Sequence, residues 1–87
     1  EKSYIIPKID ISKQGKNLKD GDIVVFATTI SGLDYTHIGF VYHENNILKF
    51  IHASSSEKQT VIEKKSLQSY CNQSKQCTGV TILRQKN

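Results

Sequence analysis

The chain has 87 residues, of which 12 are basic and 8 acidic, and its formal net charge is +4. Its hydrophobic content of 37% suits one small domain, and no apolar run approaches the roughly 18 residues that a membrane-spanning helix requires. The basic residues are 11 scattered lysines and one arginine, without interleaved aromatic residues, which argues against an organised nucleic-acid surface. We therefore expect neither a transmembrane segment nor a nucleic-acid partner.

The composition indicates a structure built mainly of strands. Ile and Val together number 16, whereas Leu, Ala and Met together number 7. β-Branched side chains favour strands over helices, because their rotamers are restricted in a helix.

The N-terminal part is predicted to be extended and then polar. Residues 4–6 form a short extended segment, and Pro7 must end it or lie on a sheet edge, because it has no N–H to donate. Residues 12–21 are predicted to be a polar loop, which ends in a turn at Asp20 and Gly21.

Residues 22–29 form a nearly continuous apolar run and are predicted to be a strand buried on both faces. Asp22 is expected to cap the preceding turn. Arg84, at the other end of the chain, is expected to pair with a carboxylate or to extend its stem along the surface at a strand end.

A hairpin follows. Residues 37–43 and 47–53 are predicted strands, and between them Asn45 and Asn46 suit a tight primed turn because asparagine tolerates positive φ.

The C-terminal part is predicted to hold a short strand at 60–63, a brief helix capped by Ser66 and ending near Cys71, and a last strand at 79–84. The resulting fold class is α+β. We expect an antiparallel sheet of about five or six strands, curled into a half-barrel, with one short helix.

The hairpin register brings two histidines together. If the turn has two residues, His52 lies opposite Gly39, and His37 shares their face because it is two residues from Gly39. The two imidazoles are then diagonal neighbours, and Gly39 is expected to leave an open notch between them. His43 lies on the same face but about 20 Å from His37 along the strand, and we expect it to be exposed and inert.

A histidine pair allows three chemistries. One histidine can be a general base that the other orients, both can bind zinc with Asp34 as a third ligand, or both can hold a ligand without catalysis. Zinc is the weaker alternative, because no close set of ligands with metal-site spacing appears, and we expect no cofactor. Half-buried histidines bonded to nearby carbonyl groups are the structural alternative.

Three segments in order carry a family resemblance: Gly-Asp-Ile-Val-Val-Phe at 21–26, Thr-His-Ile-Gly-Phe-Val at 36–41 and Phe-Ile-His-Ala-Ser-Ser at 50–55. Together they resemble the NlpC-type papain-like cell-wall hydrolases. The Val-Ile-Glu strand, the Ser-Leu-Gln-x-Tyr helix and the closing Gly-Val-x-Ile-Leu-Arg strand are most similar to the N-acetylmuramoyl-L-alanine amidase branch. The resemblance covers about residues 18–84.

The resemblance implies a papain-like fold and hydrolysis of an amide in peptidoglycan fragments. His37 would be the general base, and His52 would orient it. The family nucleophile is a Cys at the N-terminus of an upstream helix, where the helix dipole lowers the thiol pKa, but no Cys precedes His37 here.

Residues 1–87 are therefore interpreted as a single partial domain, the C-terminal, His-bearing half of such a hydrolase, whose partner is the N-terminal half of the same protein. The chain has no Met and no apolar leader segment, and we expect it to be a processed or excised piece. Peptidoglycan as substrate implies an exported protein, periplasmic or associated with the cell envelope.

Two alternatives stay open. A permuted relative of this fold would use Cys71 as nucleophile, although Cys71 lies at the C-terminal end of its predicted helix, where the dipole raises a thiol pKa. A non-catalytic wall-binding β-module would use the histidine face only to hold ligand. Cys71 and Cys77 are compatible with a disulfide or with two free thiols.

Strand ends next to the histidines supply the candidate substrate-binding residues. They are Asp34, Tyr35, Ser54 and Ser55. Their polar side chains would line a peptide or sugar pocket.

Overall fold

The computed structural model describes residues 2–28, 35–54 and 57–85. Within these residues the chain forms six β-strands, two short 3₁₀ helices and one α-helix. The elements in chain order are β1 (Lys2–Pro7), the first 3₁₀ helix (Lys8–Asp10), the second 3₁₀ helix (Ser12–Asn17), β2 (Ile23–Thr28), β3 (Tyr35–Glu44), β4 (Ile47–Ser54), β5 (Gln59–Ile62), α1 (Leu67–Gln73) and β6 (Cys77–Arg84).

The six strands form one antiparallel sheet in the order β1-β6-β2-β3-β4-β5. β1 and β5 are its edges, so Pro7 ends an edge strand, where its missing N–H interrupts no ladder. The prediction of a mostly antiparallel sheet of five or six strands with one short helix is confirmed. The sheet was expected to curl into a half-barrel; it is open, with two edges.

The core lies on one face of the sheet, under α1 and the 3₁₀ helices. Its members are apolar residues with at most 8% exposure, and several are fully buried. They are Ile6, Ile11, Leu18, Val24, Phe26, Val41, Leu48, Phe50, Leu67, Cys71, Cys77, Val80 and Ile82.

Two expectations about the first third of the chain are wrong. Residues 12–17 form a 3₁₀ helix instead of a loop, because buried Ile11 and Leu18 anchor both ends of this segment in the core. β2 is buried on one face only: Val24 and Phe26 are buried, whereas the alternating residues Ile23, Val25 and Ala27 are half-exposed. The helices cover only one side of the sheet, so an uninterrupted apolar run does not imply burial on both.

The β3–β4 hairpin has the predicted register. Glu44 pairs with Ile47, and the ladder continues without a shift to Phe40 and Ile51. Asn45 and Asn46 both have positive φ, 52° and 68°, as a two-residue primed turn requires.

Asp22 and Arg84 link the start of β2 to the end of β6. The Lys19 N–H donates to Asp22 Oδ2 at 2.9 Å, which caps the turn as predicted. Arg84 donates through Nε and Nη2 to both carboxylate oxygens of Asp22, at 3.0 and 2.7 Å. This pairing holds the end of β6 beside the start of β2.

The helix begins where the sequence predicts. Ser66 caps it by accepting a hydrogen bond from the Ser69 N–H at 3.1 Å, and the helix continues two residues beyond Cys71. A disulfide between Cys71 and Cys77 ties its last turn to the start of β6, so the two cysteines are bonded and not free thiols. In the described part of the chain, no helix has the length and apolar character needed to cross a membrane.

Candidate active site

His37 on β3 and His52 on β4 are in direct contact. His37 Nε2 lies 2.6 Å from His52 Nδ1, and the two rings are nearly perpendicular, with centroids 4.8 Å apart. The hairpin register therefore places both imidazoles on the core face, as predicted. Their role in catalysis stays a prediction.

Gly39 was expected to leave an open notch between the histidines, but the space beside it is filled. A Cβ atom at Gly39 would lie 2.7 Å from the Ile51 carbonyl oxygen and 2.9 Å from Phe50 Cδ2. The space is already filled by the neighbouring strand and by an aromatic ring. The glycine is needed because β3 and β4 approach closely here and leave no room for a Cβ atom.

Three aromatic rings surround the histidine pair. Phe50 is fully buried, and its ring centroid lies 4.6 Å from that of His52 and 6.3 Å from that of His37. Phe26 lies 6.1 Å from His37, and Tyr70 of α1 lies roughly parallel to His37 at 6.2 Å. These rings restrict how the imidazoles can rotate.

Glu63, just after β5, contacts the second histidine. Its Oε1 lies 3.0 Å from His52 Nε2, and its other oxygen accepts from the Lys65 N–H at 3.3 Å. The Glu63 N–H donates to the Phe50 carbonyl at 2.9 Å, which fixes this residue beside β4. Glu63 was not among the site residues predicted from the sequence. The Val-Ile-Glu segment was the available signal, since Val61 pairs with His52 and a residue two positions on shares that face.

The surroundings lower the pKa values of both His37 and Glu63. Burial lowers the pKa of His37, the neighbouring His52 lowers it further, and the negative charge of Glu63 offsets part of the effect. Burial by itself raises the pKa of Glu63, but hydrogen bonds from the Lys65 backbone and from His52 outweigh it and leave that pKa below its usual range. Near pH 7 a neutral His37 therefore coexists with an ionised Glu63.

A cavity of about 380 Å³ opens beside His37, between α1 and the start of β6. Its lining residues are Phe26, His37, Tyr70, Cys71, Gln73, Ser74 and Cys77. A reacting group could approach His37 from this side, because His52 and Phe50 lie against its other sides.

Of the predicted substrate-binding residues, Ser54 does not line this cavity. Ser54 ends β4, where its hydroxyl accepts a hydrogen bond from the Glu57 N–H at 3.3 Å. The Tyr35 backbone pairs with Ala27 at the start of β3. Asp34 and Ser55 lie outside the described residues, and substrate binding by all four stays a prediction.

The two alternative chemistries meet physical obstacles. The Cys71 sulfur is fully buried and bonded to Cys77, so it supplies no thiolate while the disulfide is intact. Two nitrogens bound to one tetrahedral zinc ion would be about 3.3 Å apart, whereas those of His37 and His52 are 2.6 Å apart. The pair is therefore arranged as a hydrogen bond. Asp34, the third ligand of the zinc hypothesis, lies outside the described residues.

The expectation that His43 is exposed and inert is wrong. Its Nδ1 lies 2.7 Å from Asp20 Oδ1, its Nε2 lies 2.9 Å from the Gly15 carbonyl oxygen, and its side chain is only 28% exposed. The hydrogen bond with Asp20, followed by that with Gly15, raises the pKa of His43. His43 thus ties the hairpin to the second 3₁₀ helix, away from the His37–His52 pair.

Comparison with known proteins places this chain among the N-acetylmuramoyl-L-alanine amidase-like proteins. Residues 3–80 match the family model AmiA-like, described as N-acetylmuramoyl-L-alanine amidase-like. The chain belongs to this family. No curated protein matches it significantly.

Solved structures agree with the family. An N-acetylmuramoyl-L-alanine amidase from Bacteroides uniformis ATCC 8492 is 33% identical over 97% of this chain, with a TM-score of 0.88. A Bacteroides fragilis protein, provisionally named a xylanase, is 32% identical over 94% of this chain, also with a TM-score of 0.88. A DUF1460 protein from Legionella pneumophila, with 23% identity over 94% of this chain and a TM-score of 0.67, supports the fold alone. This chain spans 36% of each Bacteroides protein and 34% of the Legionella protein.

Proposed function

We propose that this chain is the histidine-bearing part of a papain-like, NlpC-type peptidoglycan amidase, which cleaves the amide between N-acetylmuramic acid and L-Ala. The observation that carries the proposal is the 2.6 Å contact between His37 and His52 at the edge of the cavity. A half-buried, neutral imidazole held by a second imidazole is suited to general-base work near pH 7. Membership of the amidase-like family and the Bacteroides uniformis amidase support the choice of substrate.

The proposed nucleophile is a Cys thiolate from an N-terminal half of the same protein, at the start of a helix that reaches the cavity. His37 takes the thiol proton, and the thiolate sulfur attacks the amide carbonyl carbon. The C–N bond breaks as His37 gives the proton to the departing L-Ala nitrogen, which leaves a thioester. Water deprotonated by His37 then hydrolyses the thioester and frees the muramoyl carboxylate and the thiol. His52 holds the His37 ring throughout.

One described feature and the proposed substrate support an exported location, in the periplasm or at the cell envelope. The Cys71–Cys77 disulfide is of the kind that persists in oxidising compartments. Peptidoglycan, the proposed substrate, also lies outside the cytoplasm.

The test is release of free peptide amine from an N-acetylmuramoyl-L-Ala-containing fragment, with the protein that includes the upstream half. We expect activity that thiol reagents abolish. His37→Ala should lower kcat/KM by about 10²–10⁴-fold, and His52→Ala by less, because His52 only orients the proton carrier. His43→Gln is the matched control and should retain activity.

The 87-residue chain alone should be inactive, because a histidine pair without a thiolate lacks the covalent step. Activity in the isolated chain that disappears with Cys71→Ser would overturn the proposal in favour of the permuted enzyme. Activity lost to a chelator and restored by zinc would indicate metal chemistry. Binding of muropeptides without hydrolysis, even with the upstream half present, would indicate a wall-binding module.

A further inference from the structure

We propose that Glu63 is a positioning residue, which sets the tautomers of both histidines and thereby makes Nδ1 of His37 the basic atom of the site. The role deepens the proposed function and rests on it for the identity of the group that His37 deprotonates. The ring hydrogens are assigned from the described contacts for the state in which both imidazoles are neutral.

The chain of hydrogen bonds has one direction. An ionised carboxylate can only accept, so His52 Nε2, 3.0 Å from Glu63 Oε1, must carry a hydrogen. A neutral imidazole has a single N–H, which leaves a lone pair on His52 Nδ1. His37 Nε2, 2.6 Å from that lone pair, must then be the donor. The remaining lone pair of His37 is on Nδ1.

The reverse arrangement is disfavoured. If His52 donated through Nδ1 to His37, its Nε2 lone pair would face a carboxylate oxygen at 3.0 Å. Either a proton on Glu63 or a second proton on His52 would be needed to relieve this repulsion. The Lys65 N–H at 3.3 Å and the Lys65 ammonium group, whose Nζ lies 3.9 Å from Oε2, both favour the ionised carboxylate.

Burial makes the choice of tautomer depend on Glu63. The side chains of His52 and Glu63 are only 7% and 15% exposed, so water has little access to replace the carboxylate. The His52 ring also lies beside Phe50 and Tyr70, with centroids at 4.6 and 5.9 Å. A buried N–H without an acceptor is unfavourable, so removal of the carboxylate should free His52 to redistribute its proton.

The same carboxylate acts on the basicity of His37. Its negative charge favours the protonated form of His37, with His52 between the two groups. The other ionisable groups described near the pair are Lys65, which contacts Glu63, and Tyr70, whose pKa is raised by burial and then by Glu63. Glu63 is thus the negative charge that balances a proton arriving at His37 Nδ1.

The test uses long-range ¹H–¹⁵N NMR spectra of the ¹⁵N-labelled 87-residue chain, which has only three histidines. We expect the Nε2–H tautomer for both His37 and His52 in the unaltered chain. Glu63→Leu should convert the single-tautomer pattern of His52 into a mixed one. Glu63→Gln, which keeps an acceptor but removes the charge, should move the His37 titration midpoint to lower pH.

Glu44→Gln is the matched control, because Glu44 is a strand carboxylate that pairs with Lys49 at 2.7 Å. It should leave both histidine patterns unchanged. An Nδ1–H tautomer at His37 in the unaltered chain, or a His37 midpoint that Glu63→Gln does not lower, would overturn the proposal. If Glu63→Leu does not fold, the titration midpoint of His37 in Glu63→Gln tests the proposal. The spectra require no substrate and no nucleophile, so this role and the proposed amidase function can fail separately.

Discussion

Replacing Gly39 by Ala tests the close approach on which the histidine pair depends. The new Cβ would lie 2.7 Å from the Ile51 carbonyl oxygen and 2.9 Å from Phe50 Cδ2, so β4 must retreat by several tenths of an ångström. Forced overpacking of this kind costs about 1–3 kcal/mol. Alanine also reduces the conformational entropy of the unfolded chain, which stabilises the folded state by about 0.4–1 kcal/mol. This gain applies at Gly39 because its backbone is not in the left-handed region, so alanine can adopt the same conformation. The net loss should therefore lie between about 0 and 2.6 kcal/mol, and mid-range values give about 1.3 kcal/mol.

Equilibrium urea unfolding measures this loss. With a slope of about 1 kcal/mol/M, the midpoint of Gly39→Ala should fall by about 1.3 M. Gly15→Ala is the matched control, because its Cβ would meet only the Leu48 side chain at 3.4 Å or more, and its midpoint should change by less than about 0.5 M. The retreat of β4 should also disturb the NMR signals of His52. Equal midpoints for the two variants, with unaltered His52 signals, would refute the argument from close approach.

Three further predictions concern stability. Reduction of the Cys71–Cys77 disulfide should destabilise the chain by about 2 kcal/mol, because it releases a short loop in the unfolded state; an unfolding midpoint unaffected by reductant would contradict this. Phe50→Ala should cost about 3–5 kcal/mol because this ring is fully buried, whereas Phe40→Ala, at a site 52% exposed, should cost less than about 1 kcal/mol in the same urea assay. The pKa of His43 is raised in the folded chain, so the contribution of His43 to the free energy of unfolding is complete below its unfolded pKa of about 6.5 and is lost as pH rises through its folded pKa. In urea unfolding, the stability difference between the parent chain and His43→Gln should therefore shrink with rising pH. A difference that grows with pH would contradict the assignment.

The hairpin and its histidines could be predicted because their information is local. Two asparagines define a two-residue turn, the turn defines the register, and the side-chain period of two places His37 and His52 on one face. The Ser66 cap was predictable for the same reason, since a cap bonds the backbone three residues away.

Contacts between distant elements could not be predicted in the same way. Glu63 reaches His52 because β5 pairs with β4, and the contact of His43 with Asp20 depends on where the second 3₁₀ helix packs. The filling of the Gly39 site by Phe50 also depends on side-chain packing across strands, which composition and periodicity do not encode.

Local sequence patterns were enough to predict the antiparallel sheet, its central hairpin, the capped helix and the juxtaposition of two histidines, because turn residues and alternating side chains act over a few positions. Three features emerge only from packing: which face of the sheet is covered, the bond between Cys71 and Cys77, and the contact of a carboxylate with His52. Burial and hydrogen-bond partners are properties of segments far apart in the chain, and they exist only after those segments have packed together.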